Sequence, residues 1–185
     1  MKFIITLLCF FVLLGCSGES VSEESTSKET ASKESVMFGL FGKKEEEKYV
    51  ISSPLEGVLV KDGKPLPRTK ITRYLSWTGY EGEKVDEFFT DDHGRFTIPA
   101  YEEMLNLGTL NQFVGKTLLI AVVNSKEIDI WLVAKFDGEI YSDLQGPLEG
   151  LVCDVNTTKS SLKVKHSIIS TKCRWQGMPE IKEEF

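Results

Sequence analysis

Thr117-Leu118-Leu119-Ile120-Ala121-Val122-Val123 is a continuous apolar run of strand length, suited to a buried central strand. On its C-terminal side, Glu127 to Phe136 alternates and places Ile128, Ile130, Leu132, Ala134 and Phe136 on one face, with Asp137-Gly138 as the turn out. Leu148 to Val155 and Ser161 to Ile169 are further strands, the second gathering Leu162, Val164, His166 and Ile168. On the N-terminal side, Leu55 to Val60 runs into Lys61-Asp62-Gly63-Lys64-Pro65, where Asp-Gly supplies positive φ and proline ends pairing. Thr69 to Leu75 puts Ile71 and Arg73 on one face, Val85 to Thr90 follows, and Asp91-Asp92-His93-Gly94 turns the chain into Arg95 to Pro99. Only Tyr101 to Leu107 hints at helix. Eight or so strands joined by short turns predict an all-β domain, an antiparallel β-sandwich.

Charge and apolarity are distributed unevenly around that domain. The 185 residues carry 22 basic and 28 acidic side chains, a net charge of −6. From Tyr49 on there are 20 acidic against 16 basic residues. That balance excludes a nucleic-acid binder driven by a basic surface, so no nucleic-acid partner is expected. The 137 residues from 49 to 185 suffice to bury roughly two-thirds of their unfolded surface in one core.

Residues 1–15 carry one charge, Lys2, followed by the apolar run Phe3 to Leu14. About twelve apolar residues fall short of the roughly 20 that span a bilayer, but they match the core of a signal peptide. The run ends Leu13-Leu14-Gly15-Cys16, which resembles the lipobox of bacterial lipoproteins: an aliphatic residue, a small residue before the cut, then cysteine. The resemblance implies cleavage before Cys16 and acylation of its thiol, and several acyl chains there would anchor the protein stably. Ser17, in place of aspartate after the cysteine, favours the outer membrane facing the periplasm by the same resemblance.

Residues 16–48 are expected to be a tether. Ser17 to Ser35 has five Glu, two Lys and no aromatic residue, too little apolar surface to offset ordering entropy, so disorder is predicted. Val36 to Gly42 (VMFGLFG) interrupts it with Phe38 and Phe41. Three placements stay open for that patch: against the domain, at the membrane interface, or on a partner.

Within the domain, Ser53-Pro54-Leu55-Glu56-Gly57-Val58-Leu59-Val60, then Gly63-Lys64-Pro65-Leu66-Pro67 and Thr69-Lys70-Ile71, resembles the opening of transthyretin-like (prealbumin-like), carboxypeptidase-regulatory-like domains. Thr90-Asp91-Asp92-His93-Gly94-Arg95-Phe96 resembles their second hallmark, T-D-x-x-G-x-F. The later Trp131 strand and the Leu151-Val152-Cys153-Asp154 segment look similar to an uncharacterised bacterial branch of that superfamily. The resemblance implies a transthyretin-like sandwich and is silent on activity.

Cys153 and Cys173 are the two thiols that remain once Cys9 leaves with the signal and Cys16 takes lipid. In an oxidising periplasm the pair is expected to form a disulfide, the rival being a reactive or metal-binding pair. His93 falls in a turn and His166 on an apolar face, where a partly buried core histidine is expected. Asp86, Asp91 and Asp92 lack EF-hand spacing and read as hairpin caps, and Asn156-Thr157-Thr158 reads as a turn. There is no G-x-S-x-G, H-E-x-x-H, P-loop or dinucleotide fingerprint, and the chain ends IKEEF where hydroxyisourate hydrolases of similar fold carry Y-R-G-S. No catalytic constellation, cofactor or metal site is expected. Trp77 and Tyr80 stand in Ser76 to Lys84 (SWTGYEGEK), where they read either as a partner-contacting loop or, for Trp77, as a lid on the core.

These readings converge on a membrane-anchored, non-catalytic lipoprotein that binds another protein of the envelope. One specific form is immunity to a toxin delivered by a neighbouring cell. The alternative is a structural accessory of envelope assembly or the cell surface, and a hydrolase comes last.

Overall fold

The computed structural model describes residues 45–108 and 111–179. Cys16, Phe38, Phe41 and the Val36 to Gly42 patch lie outside the described residues. The described chain is all β. Its strands are β1 (Glu47–Ser52), β2 (Leu55–Lys61), β3 (Lys64–Pro65), β4 (Lys70–Trp77), β5 (Lys84–Phe89), β6 (Arg95–Ile98) and β7 (Tyr101–Leu105). They continue with β8 (Gly115–Val123), β9 (Lys126–Lys135), β10 (Val152–Asp154), β11 (Ser160–Val164), β12 (Ser167–Thr171) and β13 (Cys173–Arg174).

The apolar run Thr117 to Val123 lies in β8, and that strand is central. A six-stranded sheet has the order β11-β12-β9-β8-β4-β5. A second sheet runs β13-β10-β2-β3, with β6 also on β2, and β1 pairs with β7 in a two-stranded ribbon. Every pairing is antiparallel except one: β10 lies parallel to β2, Cys153 opposite Leu59. The two larger sheets share one core, in which Leu55, Leu59, Phe96 and Ile98 of one meet Ile71, Leu119, Trp131 and Ile169 of the other. A smaller cluster of Ile51, Leu75, Trp77, Leu107 and Phe113 closes one end, packed by Tyr49, Tyr101 and Leu105.

Turn chemistry follows the sequence. Asp62 and Gly63 (φ 51° and 75°) turn β2 into β3, and Asn124 and Ser125 (φ 51° and 61°) turn β8 into β9. At the β5–β6 corner, Asp91 accepts hydrogen bonds from the backbone N–H of His93 and Arg95, both 2.8 Å. The Arg95 bond, ahead of the smaller opposing effect of burial, holds the Asp91 carboxyl below its ordinary value. Gly94 there has φ +74°, and a Cβ on it would lie 2.7 Å from the Leu59 carbonyl oxygen. Its own carbonyl accepts from the Leu59 N–H at 2.8 Å, so the corner docks on β2 only if residue 94 has no side chain.

Four local expectations need correction. The face expected for Ile128, Ile130, Leu132, Ala134 and Phe136 breaks at Ile130, because the register shifts there: Leu119 pairs with Trp131 but Ile120 with Asp129. This one-residue bulge turns Trp131, Val133 and Lys135 inward and sends Leu132 and Ala134 out. Ser161 to Ile169 is a hairpin, not one strand, with Lys165 at φ 51° in its turn. His166 is accordingly exposed at the tip rather than half-buried in the core. Tyr101 to Leu107 forms strand β7, since pairing with β1 outweighs its weak helical preference. Leu148 to Val155 pairs only over Val152 to Asp154, with turns before it.

Candidate functional site

Two surfaces and one buried network carry the polar and aromatic groups of interest. The first surface is the end closed by Trp77. The expected loop Ser76 to Lys84 starts later than its sequence suggests, because β4 continues through Trp77, which is 8% exposed. Trp77 is therefore a lid on the smaller cluster. Tyr80 stacks on it with ring centroids 4.3 Å apart and planes 12° from parallel, and remains 42% exposed. The loop between them is pinned: Thr78 N–H donates to the Val114 carbonyl at 3.0 Å, and Thr78 Oγ1 accepts from the Val114 N–H at 2.9 Å. Tyr80 N–H donates back to the Trp77 carbonyl at 3.1 Å. Glu81 and Glu83 follow Tyr80 in the loop and are exposed.

Beneath this end runs a charged seam. Arg73, 2% exposed on the inner face of β4, donates to Asp86 from Nη2 at 2.6 Å and from Nε at 3.2 Å, and to the Pro99 carbonyl at 2.6 Å. Its guanidinium also lies over Phe88 and Tyr101, 5.2 and 5.8 Å from the ring centres, so two aromatic rings flank the buried cation alongside its hydrogen bonds. Lys84 covers Tyr101 at 5.6 Å. Tyr101 leans on Trp77 (5.6 Å) and donates its hydroxyl to Glu103. Burial first, then Glu103 and Asp86, push the Tyr101 phenol up to about 12, so it stays a neutral donor at physiological pH.

The second surface is the outer face of the six-stranded sheet. Alternation puts Val85, Tyr74, Leu118 and Leu132 in one cross-strand row on that side. Val85, Phe89, Leu132 and Ile168 are exposed, and Tyr74, Leu118, Ile120 and Val122 are half-buried. The sequence concealed this face: the Ile130 bulge is what moves Leu132 onto it.

The buried network was also hidden. Lys135, at 0% exposure, ends β9 pointing inward, and its Nζ donates to the Glu139 carbonyl at 2.6 Å. Asp143 Oδ1 lies 3.6 Å from that amine and accepts from Ser53 Oγ at 2.6 Å. The Tyr141 N–H completes it by donating to Ser53 Oγ at 3.0 Å. Burial pulls the Lys135 amine below its ordinary value, with Asp143 acting in the opposite sense. These groups latch the 137–144 turn onto β1 and β9 and are sealed from solvent. No periodicity signals a lysine in such a role.

Cys153 and Cys173 are bonded, from directly opposed positions on β10 and β13. Next to them, Asp154 accepts from the N–H groups of Asp62 and Gly63 (both 3.2 Å) and Asn156 (3.0 Å), tying the 156–158 turn to the β2–β3 hairpin. Burial raises the Asp154 carboxyl, but the three N–H groups together outweigh it and leave it below its ordinary value. Asp92 pairs with Arg68 at 2.9 Å and Asp86 with Arg73, so each candidate cap has a structural partner. His93 is exposed in its turn. Among the described residues, no three His, Cys, Asp or Glu side chains are grouped to hold a metal ion.

A β domain of this kind, with its polar groups spent on latches and its aromatic and apolar groups shown on outer surfaces, belongs to the class of small disulfide-bonded all-β modules. The chain is a member of DUF6795, a family defined by a domain of unknown function, whose model matches residues 55–158. That span covers β2 through β10 and stops short of Cys173 and the β11–β12 hairpin. No curated protein and no solved structure matches the chain.

Proposed function

We propose that this protein is a lipoprotein held in the outer membrane, facing the periplasm, by an acylated Cys16, and that its domain is a non-catalytic, transthyretin-like sandwich that binds another envelope protein. The observation that carries the binding reading is Tyr80: a half-exposed ring held flat on a buried Trp77, in a loop pinned by Thr78 that also carries the exposed Glu81 and Glu83. A rigid aromatic in that setting offers contact area at small entropic cost. Immunity to a delivered toxin is one form of this reading, and the identity of the partner decides it.

Anchoring is tested by Cys16→Ala in the full chain. The wild type is expected in the membrane fraction, with a mature N-terminus at residue 16 and acyl mass on it. The variant is expected to lose that mass, and an unmodified wild-type residue 16 would refute the lipoprotein reading. Binding is tested by recovering tagged full-length chain from detergent-solubilised membranes and identifying what co-purifies. Tyr80→Ala should reduce recovery of the partner at least about tenfold, as an interface anchor worth roughly 1.4 kcal/mol or more requires. The stack itself is worth only about 0.5–1.5 kcal/mol to folding, so the variant stays folded. Equal recovery by both chains would remove Tyr80 from the interface.

A further inference from the structure

The outer face of the six-stranded sheet is apolar at its centre and charged at two opposite ends. Leu118 and Leu132 face each other across β8 and β9, with Tyr74 and Val85 continuing the row and Ile120, Ala134 and Ile168 beside it. Toward one end stand Lys116 and Lys163. Toward the other stand Glu127, Glu87 and Asp129, the last two bridged at 2.8 Å to Lys70 and Lys159. An apolar centre with a charged rim is the anatomy of a protein interface, and contiguous apolar surface of this kind is rare on a monomer.

We infer that this face is a dimer interface, occupied by the same face of a second copy of the chain. Three features select that occupant. A two-fold axis lying across the strands lays Lys116 and Lys163 of one copy over the end of the other where three carboxylates stand against Lys70 and Lys159, a net negative end, so one patch complements itself as a closed dimer requires. The same axis stacks the Leu118–Leu132 centre on itself, sheet on sheet. Finally, six strands about 4.8 Å apart, with 43 residues among them at about 3.4 Å each, give a face of roughly 700 Å². That is close to the ~800 Å² per partner of a standard stable interface. The interface lies apart from Tyr80 and leaves the aromatic end free for a different partner.

Cysteine cross-linking in cells producing the full-length chain tests this. Two sheets packed face to face stand about 10 Å apart, so a thiol-to-thiol bismaleimide of that span joins Leu132→Cys of one copy to that of the other. Leu132 is 41% exposed, so the substitution leaves the core untouched. A species of twice the chain mass is expected from Leu132→Cys and from Ser170→Cys, which lies opposite Leu132 in the same row. Val152→Cys, 40% exposed on the other sheet, should stay monomeric, as should the wild type. Adding Leu118→Glu to Leu132→Cys should lower the dimer band severalfold, whereas adding Tyr80→Ala should not change it. The inference is overturned if Leu132→Cys and Ser170→Cys both remain monomeric, if Val152→Cys cross-links as strongly, or if the adduct has the mass of a different protein.

Discussion

Asp143→Ala is expected to destabilise the domain by roughly 3–5 kcal/mol, the range for removing one partner of a buried ion pair. The reason is the company it leaves behind. Lys135 is fully buried, and without Asp143 its amine keeps hydrogen bonds to the Glu139 carbonyl and the Ser53 hydroxyl and loses its largest opposing charge, leaving the weaker pull of the Asp137 and Glu139 carboxylates. Ser53 loses its acceptor at the same time, loosening the turn whose Tyr141 N–H it receives. Replacing both charged partners, Lys135→Met with Asp143→Leu, should cost markedly less than Asp143→Ala alone, because no uncompensated charge is then buried. Urea unfolding of the three chains measures this, and a single variant no worse than the double would refute the ion-pair account. The pair also sets a pH slope. The folded state binds the Lys135 proton more weakly than the unfolded chain, whose amine keeps its ordinary value of 10.5. Unfolding therefore takes up a proton between the lowered pKa and 10.5, and stability rises with pH across that window. The Met–Leu double variant should lose that part of the slope.

Loss of the Cys153–Cys173 bond should cost about 3 kcal/mol in the chain-entropy account, for a closed loop of 20 residues. The bond holds β13 against β10, and it encloses the β11–β12 hairpin, whose link to the rest of the sheet is the β12–β9 pairing. Cys153→Ala with Cys173→Ala should therefore lower the unfolding midpoint in urea and, by releasing a more open unfolded chain, raise the slope. The wild type under reducing conditions should fall to the same midpoint. A reduced wild type as stable as the oxidised one would show that the bond constrains nothing. Both sulfurs are buried, so reduction is expected to follow opening of this corner rather than precede it.

Much of the architecture was legible because strand, turn and burial signals agree locally. The Thr117 to Val123 run has no polar break, so it had to lie between other strands, and it does, between β4 and β9. Asp62-Gly63 and Asp91 to Gly94 name their turns through conformations and caps that few other residues supply. Tyr80 was legible as an exposed aromatic; that Trp77 lies beneath it, buried, was one of two readings. Two of the four errors come from a break in alternation. Alternation is a rule of period two, and a single extra residue at Ile130 reverses it for everything downstream in that strand. A turn at Lys165-His166 similarly split what alternation joined.

The amino-acid sequence by itself determined an all-β domain, its turn positions and the two cysteines available to pair, because those follow from side-chain size, backbone preference and redox chemistry within a few residues. Tertiary structure alone decided the rest. It set β10 parallel to β2, sealed Lys135 against Asp143 and Ser53, and left Leu132 and Ile168 facing out beside Leu118. Each of these joins residues whose nearness depends on how sheets stack and where a strand slips by one. That information is held in no local window of the chain.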